Sequence, residues 1–152
     1  MSIGSVATEY EWIVYYGFSQ ADYAQNLVDA YKAAGVPASD VWPQSFNLED
    51  VRYRIENNLA FGEQAVYLDD SYNRDGSDPM DPATFEPSMQ ELADMSVNYI
   101  APPIWILVST DGDEIVHSAY ARAATEIGLV IIDADADYCS MLDALFRKVE
   151  PD

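Results

Sequence analysis

Two adjacent carboxylates, Asp69 and Asp70, directly follow an apolar segment of the sequence. Residues 64–69 are predicted to form a β-strand, because aromatic and β-branched residues follow the break at Gly62. Carboxylate oxygens are the ligands that calcium and magnesium prefer in proteins. The pair therefore predicts a divalent-cation site at the end of this strand, although adjacent like charges are also common on solvated loops.

A second group of carboxylates, Asp133, Asp135 and Asp137, has the spacing of the first three ligands of an EF-hand loop. Tyr138 stands where that loop needs its turn glycine, and Ala144 stands where it needs the bidentate glutamate. We therefore predict a weak calcium or magnesium site that includes Asp133 and Asp135, and not an EF-hand.

The sequence offers few groups for nucleophilic or acid–base chemistry. It contains one histidine, His117, and one cysteine, Cys139, which have no sequence relation to each other. A single histidine cannot act as both the general acid and the general base of one reaction. We predict that His117 is an exposed residue at the start of a helix.

The elements that must position these residues alternate between strands and helices. The predicted strands are residues 9–16, 41–46, 64–69, 97–101 and 129–133. The predicted helices are residues 20–34, 48–58, 88–95, 119–127 and 138–149. This alternation predicts one α/β domain over residues 1–152, with a parallel sheet of about five strands and right-handed crossovers.

Capping residues and hydrophobic spacing give these elements further detail. Val51, Ile55 and Leu59 are predicted on the buried face of the second helix. Pro87 is predicted to open the third helix, because proline suits a first helical turn. Residues 71–86 are rich in Asp, Asn, Pro, Gly and Ser, which predicts a long exposed loop.

Three segments resemble a known enzyme family: residues 41–47 (VWPQSFN), 64–70 (QAVYLDD) and 100–105 (IAPPIW). They are similar to the C-terminal half of the glycerophosphodiester phosphodiesterases, which are TIM-barrel enzymes. The resemblance extends from about Gln20 to about Ile132. It implies a partial (β/α) barrel, because 152 residues are well short of the ~250 of a complete TIM barrel. An open flavodoxin-like sheet is the alternative.

The resemblance also implies a function, the hydrolysis of glycerophosphodiesters to glycerol 3-phosphate and an alcohol. In the family, two histidines act as acid and base, in a His-Arg-Gly motif and a later His-Asp motif. Neither motif occurs in this sequence. We therefore expect no activity from the chain alone, and the alternative function is a non-catalytic acidic module that self-associates or binds cations.

Several residues correspond to site positions of the family. Gln44, Phe46 and Trp105 would line the substrate pocket, whereas the alternative places Phe46 in the core and Gln44 within a barrel layer. Glu11 is the candidate for a metal carboxylate on the family's fourth strand, but no lysine follows it two residues later as in the family. A solvent-facing carboxylate is the alternative for Glu11.

Charge restricts the partners of the chain. Asp and Glu number 27 against 7 Lys and Arg, which gives a formal net charge of -20 and disfavours nucleic acids and anionic membranes. No apolar segment reaches the ~20 residues of a membrane span, and residues 1–8 lack the features of a signal peptide, which leaves the location open. An unclosed barrel predicts a second copy or a missing N-terminal half as its partner. The family resemblance implies a small phosphodiester as its ligand.

Overall fold

A computed structural model describes Gly17 and residues 19–132 of the chain. The helices of this part are α1 (Gln20–Ala33), α2 (Leu48–Asn57), α3 (Leu59–Gly62), α4 (Met89–Asp94), α5 (Ile104–Leu107) and α6 (Ala119–Glu126). The strands are β1 (Gln44–Ser45), β2 (Val66–Tyr67), β3 (Tyr99–Ile100), β4 (Val108–Asp111), β5 (Glu114–His117) and β6 (Val130–Ile131). Single 3₁₀ turns lie at Ala38–Asp40, Ser71–Asn73 and Pro82–Thr84. The prediction of an α/β chain with a parallel sheet is confirmed.

Four strands form one parallel sheet in the order β1-β2-β3-β6. The register pairs Gln44 with Val66, Val66 with Tyr99, and Tyr99 with Val130, so these four residues form one row across the sheet. β4 and β5 form a separate antiparallel pair. The strands therefore neighbour one another in chain order, with no reversal among the four.

The two faces of the sheet are covered differently. One face buries Tyr67 and Ile100 in the main core, together with Val51 of α2, Leu92 of α4 and Ala124 of α6. We call this the helix-side face. On the other face, the strand-side face, a smaller cluster is built from Val66, Leu68 and Ala101, packed by Trp42, Tyr99 and Ile132. Among the described residues, no helix contributes to that second cluster.

The predicted helix starts are confirmed where the capping residues identified them. The Ser19 hydroxyl oxygen accepts the Asp22 N–H. The Asp22 carboxylate accepts hydrogen bonds from the Ser19 hydroxyl and from the Ser19 N–H, and these two bonds lower the pKa of Asp22. Asn47 caps α2 and Ser118 caps α6 through their side-chain oxygens. At the far end of α6, Gly128 has a φ of +89°, which suits the predicted stop.

The predicted second helix is wrong at its end. α2 ends at Asn57, because Asn58 has φ -138° and ψ 60°, and a new short helix, α3, follows. Val51 is buried and Ile55 packs on the core as predicted, but this break turns Leu59 outward, where it is 69% exposed.

Two other local predictions need correction. Pro87 does not open a helix, because Ser88 and Glu91 exchange capping hydrogen bonds that fix the start of α4 at Met89. The predicted strands include no antiparallel pair, but β4 and β5 form one, joined by a two-residue turn at Gly112-Asp113. Gly112 has a φ of +64°, a conformation that glycine adopts without strain.

Some predictions fall outside the described residues: the strand at 9–16 and the helix at 138–149. The strand predicted at 129–133 is described only to Ile132, and β6 occupies Val130–Ile131. In the described part of the chain, no helix has the length and apolar character needed to cross a membrane.

We predict that Gly62→Ala destabilises the fold through backbone crowding. A Cβ atom at Gly62 would lie 2.6 Å from the Arg54 carbonyl oxygen and 2.6 Å from the Ile55 Cα, both of which belong to the backbone of α2. Overpacking of this kind costs about 1–3 kcal/mol. Urea denaturation should therefore show a lower midpoint for Gly62→Ala. Leu59→Ala, in the same short helix but exposed, is the control and should change stability by less than about 0.5 kcal/mol. Equal midpoints for the two variants would contradict the crowding.

Candidate functional site

The carboxyl ends of the parallel strands meet at one edge of the sheet, where α/β folds hold their ligands. The Leu68 N–H donates to the Ser45 carbonyl at 2.9 Å, and the Asp69 N–H donates to the Ala101 carbonyl at 3.3 Å. These bonds extend the ladder past β1, β2 and β3. The segments that follow these three strands are therefore side by side, and we call this edge the mouth.

The predicted pocket residues lie at or near the mouth. Phe46 directly follows β1 and is 46% exposed, so the alternative that placed it in the core is wrong for the described chain. Gln44 is half-buried and belongs to the row on the strand-side face. Trp105 lies on α5, beyond β3, and is 55% exposed.

Trp105 contacts an aromatic residue that the sequence did not identify. Its ring meets the ring of Tyr72 edge to face, with centroids 4.6 Å apart and planes at 80°. Tyr72 lies in the 3₁₀ turn Ser71–Asn73 after β2, so the pair joins the loops that follow β2 and β3. We call Tyr72 and Trp105 the mouth pair. No local signal marked Tyr72, because its importance comes from a residue 33 positions away in the sequence.

The two predicted carboxylates after β2 lie in different environments. Asp69 is only 3% exposed, whereas Asp70 is exposed. The Asp69 Oδ2 accepts the Tyr120 hydroxyl at 2.5 Å, and its Oδ1 accepts the Ser71 N–H at 2.8 Å. Both oxygens of Asp69 therefore have donors within the protein, and Asp70 alone offers a solvent-facing carboxylate at this point of the mouth.

Three other residues are predicted metal ligands. Glu11, Asp133 and Asp135 lie outside the described residues. Within the described part, no three His, Cys, Asp or Glu side chains are grouped closely enough to hold a metal ion. The calcium or magnesium site thus stays a prediction. Among the described residues, Asp70 is the predicted ligand that is exposed at the mouth.

A second buried carboxylate supports the mouth from behind β1. Asp50 is fully buried, and it accepts the Ser45 hydroxyl at 2.8 Å and the Gln20 side-chain amide. The Ser45 hydroxyl oxygen in turn accepts the Asn47 N–H at 3.0 Å. This network ties the end of β1 to the starts of α1 and α2, and it fixes the backbone on both sides of Phe46.

The segment that follows β2 at the mouth carries an excess of negative charge. Residues 69–86 contain six carboxylates and one arginine, Arg74. Arg74 is already engaged, since its Nη1 donates to the Glu86 carbonyl and lies 3.5 Å from the Glu86 Oε2. His117 is exposed as predicted, but it is the last residue of β5 and not the start of a helix, since α6 begins at Ala119 with Ser118 as its cap.

Comparison with known proteins gives one similarity that bears on the chain. No family model and no solved structure matches it. A protein of Arthroderma benhamiae, described as an extracellular protein, is 31% identical over 113 residues. The match covers 74% of this chain and 44% of that relative, so the chain spans less than half of the relative's length.

We predict that two buried phenols stay protonated far into the alkaline range. Burial raises the pKa of Tyr120 and of Tyr67, and the adjacent Asp69 charge raises both further. In the unfolded chain every phenol titrates near pH ~10. The folded protein therefore keeps protons that the unfolded protein releases, and stability falls as the pH rises above ~10.

Absorbance titration at alkaline pH tests this, with the urea-unfolded chain as the reference. The folded chain should titrate fewer of its 11 tyrosines than the unfolded chain does, and Tyr120→Phe should remove one of the late phenols. Simultaneous titration of all the tyrosines in the folded chain would contradict the burial argument.

Proposed function

We propose that this chain is part of a (β/α) barrel of the glycerophosphodiester phosphodiesterase type, in which it forms one wall of the substrate pocket. The strand order carries the proposal. Right-handed crossovers that always step in the same direction place their helices on one face of the sheet, as barrels require. A doubly wound sheet such as that of flavodoxin instead reverses its order at a switch point. β1, β2, β3 and β6 follow chain order, and the main core lies on the helix-side face.

The position of the predicted pocket residues supports the same proposal. Active sites of TIM barrels lie at the carboxyl edge of the strands. Phe46, Asp70 and Trp105 come from three segments that resemble the family, and each follows a different strand at that edge. Their exposure leaves them available to a ligand.

The length of the Arthroderma benhamiae relative supports the proposal that a second half completes the barrel. Since 113 residues are 44% of it, the relative has roughly 250 residues, the typical length of a complete TIM barrel. We propose that the strands and the histidine pair missing here belong to a complementing half, on the same polypeptide or on another. Because the relative is described as an extracellular protein, we propose the same location for this chain.

The reaction proposed for the completed barrel is the hydrolysis of a glycerophosphodiester. Water adds its oxygen to phosphorus, the bond from phosphorus to the alcohol oxygen breaks, and the alcohol leaves with a proton. A divalent cation, when bound, would stabilise charge on the phosphate oxygens. In this proposal Asp70 would give the cation one ligand, and the complementing half would supply the others.

The mouth favours a substrate whose alcohol carries positive charge. Five exposed carboxylates within residues 70–86 attract cations, and the exposed ring of Trp105 can bind an ammonium group over its face. Glycerophosphocholine combines such an alcohol with the phosphodiester, which the histidine-bearing half would hold.

The second candidate function is a non-catalytic acidic module that self-associates. The strand-side face favours it, because Val130, which lies in the same row of the sheet as Val66 and Tyr99, is 47% exposed. A second copy could cover this face, and the net charge of -20 would limit further growth of the assembly.

We predict that the chain alone releases no glycerol 3-phosphate from glycerophosphocholine, with calcium or magnesium present. Co-expression with the part of the Arthroderma benhamiae protein outside the matched region should give metal-dependent release. The same added part with its histidines replaced by alanine is the matched control and should give no release. Turnover by the isolated chain that survives His117→Ala would overturn the proposal. A complemented chain that stays inactive, together with a stable dimer of the isolated chain in light scattering, would favour the second function.

We predict that choline binds weakly to the isolated chain and changes the fluorescence of Trp105. Trp105→Ala should abolish the change, because a cation over an exposed indole contributes about 0.5–1 kcal/mol. Met80→Ala is the matched variant. Met80 is 44% exposed on the acidic loop, by which we mean residues 69–86, but it has no aromatic face. The neutral isostere 3,3-dimethylbutanol is the ligand control. An equal response to choline and to the isostere would show that charge plays no part.

A further inference from the structure

Tyr120 holds a buried position from which it reaches the mouth. It lies in the first turn of α6, is 3% exposed, and belongs to the main core together with Ala121 and Ala124. Its hydroxyl donates to the Asp69 Oδ2 at 2.5 Å across 51 positions of sequence. The oxygen atoms of Asp69 are thus shared between α6 and the Ser71 N–H, which begins the turn after β2.

Tyr120 also contacts the acidic loop at two further points. Its backbone N–H donates to the Pro79 carbonyl at 2.9 Å, in the middle of residues 69–86. Its ring meets the ring of Phe85, near the end of that loop, edge to face with centroids 5.3 Å apart. One residue of the core therefore contacts the loop at its beginning, in its middle and at its end.

The first of these contacts leads to the mouth pair. Asp69 anchors the turn Ser71–Asn73, and the turn presents Tyr72 to Trp105 at 4.6 Å. A hydrogen bond between two groups that are both buried is geometrically strict, since neither group can exchange its partner for water without exposure.

We propose that Tyr120 is a positioning residue of the mouth: through Asp69 it fixes the turn that carries Tyr72, and through Tyr72 it sets the orientation of Trp105. The inference rests on the proposed function, because the mouth pair has a role only if a ligand binds there. It assigns Asp69 to positioning and leaves Asp70 as the carboxylate that faces the ligand.

Tyr120→Phe tests the inference, because it removes only the hydroxyl and keeps the ring against Phe85 and the N–H on Pro79. The full chain has three tryptophans, so Trp12→Phe and Trp42→Phe give a background in which Trp105 alone reports. Tyr120→Phe should shift the Trp105 emission to the red and increase its quenching by acrylamide. Choline should bind less tightly to the same variant.

Tyr53→Phe is the matched control. It also removes one phenolic hydrogen bond, from Tyr53 to the Gln25 Oε1 at 3.2 Å, but between α1 and α2 and away from the mouth. It should leave the emission and quenching of Trp105 unchanged. Equal shifts in the two variants would mean that lost stability, and not positioning, moves Trp105, which would overturn the inference.

Asp69→Ala shows whether the effect passes through Asp69. If it does, Asp69→Ala shifts Trp105 at least as far as Tyr120→Phe does, and the double variant adds nothing to Asp69→Ala. Additive shifts, or an unchanged Trp105 in Tyr120→Phe, would overturn the positioning role. These measurements need no turnover. A wild-type chain that fails to bind choline therefore counts against the proposed function, while the response of Trp105 to Tyr120→Phe decides the positioning role separately.

Discussion

The structure depends on the burial of the helix-side face of a short parallel sheet. Each parallel strand contributes only two residues, so the backbone ladder alone cannot hold the strands together. Tyr67 and Ile100 are buried in one core with residues of α2, α4 and α6. Packing across this face therefore aligns the carboxyl ends of the strands, and the mouth exists because that alignment is kept.

Buried polar groups add orientation to this apolar core. Asp50 and Asp69 are both buried carboxylates. Asp50 contacts the last residue of β1, and Asp69 follows β2. Each has both oxygens hydrogen-bonded. A buried charge without such donors would cost several kcal/mol, on the order of what an unpaired ion costs in a protein interior. Their networks join elements that are distant in sequence, namely α1 with β1, and α6 with the loop after β2.

Arg54, unlike Asp50 and Asp69, is a buried charged residue whose guanidinium nitrogens have no hydrogen-bond partners among the described residues. It is fully buried in α2. Burial lowers the pKa of Arg54, whereas the charge of Asp50, one turn earlier, opposes that shift. Hydrogen bonds of Gln25 with Tyr53 and with Asn58 lie at the same contact between α1 and α2. Polar groups therefore contribute to how these two helices align, beside the apolar cluster of Val28, Val41 and Phe61.

The sequence by itself determined the type and order of most elements, the capped starts of α1, α2 and α6, and the acidic character of the loop after β2. These features are local, since a capping side chain and a hydrophobic period act within a few residues. It did not determine the end of α2, because the backbone conformation of Asn58 has no strong local signal. The hairpin β4–β5 does have a local signal, the Gly112-Asp113 turn, but its strands are too short to stand out from the apolar segment before them.

Only the tertiary structure decided which of two adjacent carboxylates faces solvent. Asp69 and Asp70 are equivalent in the sequence, but Asp69 is buried beside α6, and the backbone leaves the extended conformation at Asp70, with φ -108° and ψ 13°. Asp69 therefore meets Tyr120 in the core, and Asp70 reaches the mouth. The pairing of Tyr72 with Trp105 was likewise hidden, because it depends on two loops brought together by strand order. Contacts between residues far apart in the chain arise from packing, and no local pattern of residue types records them.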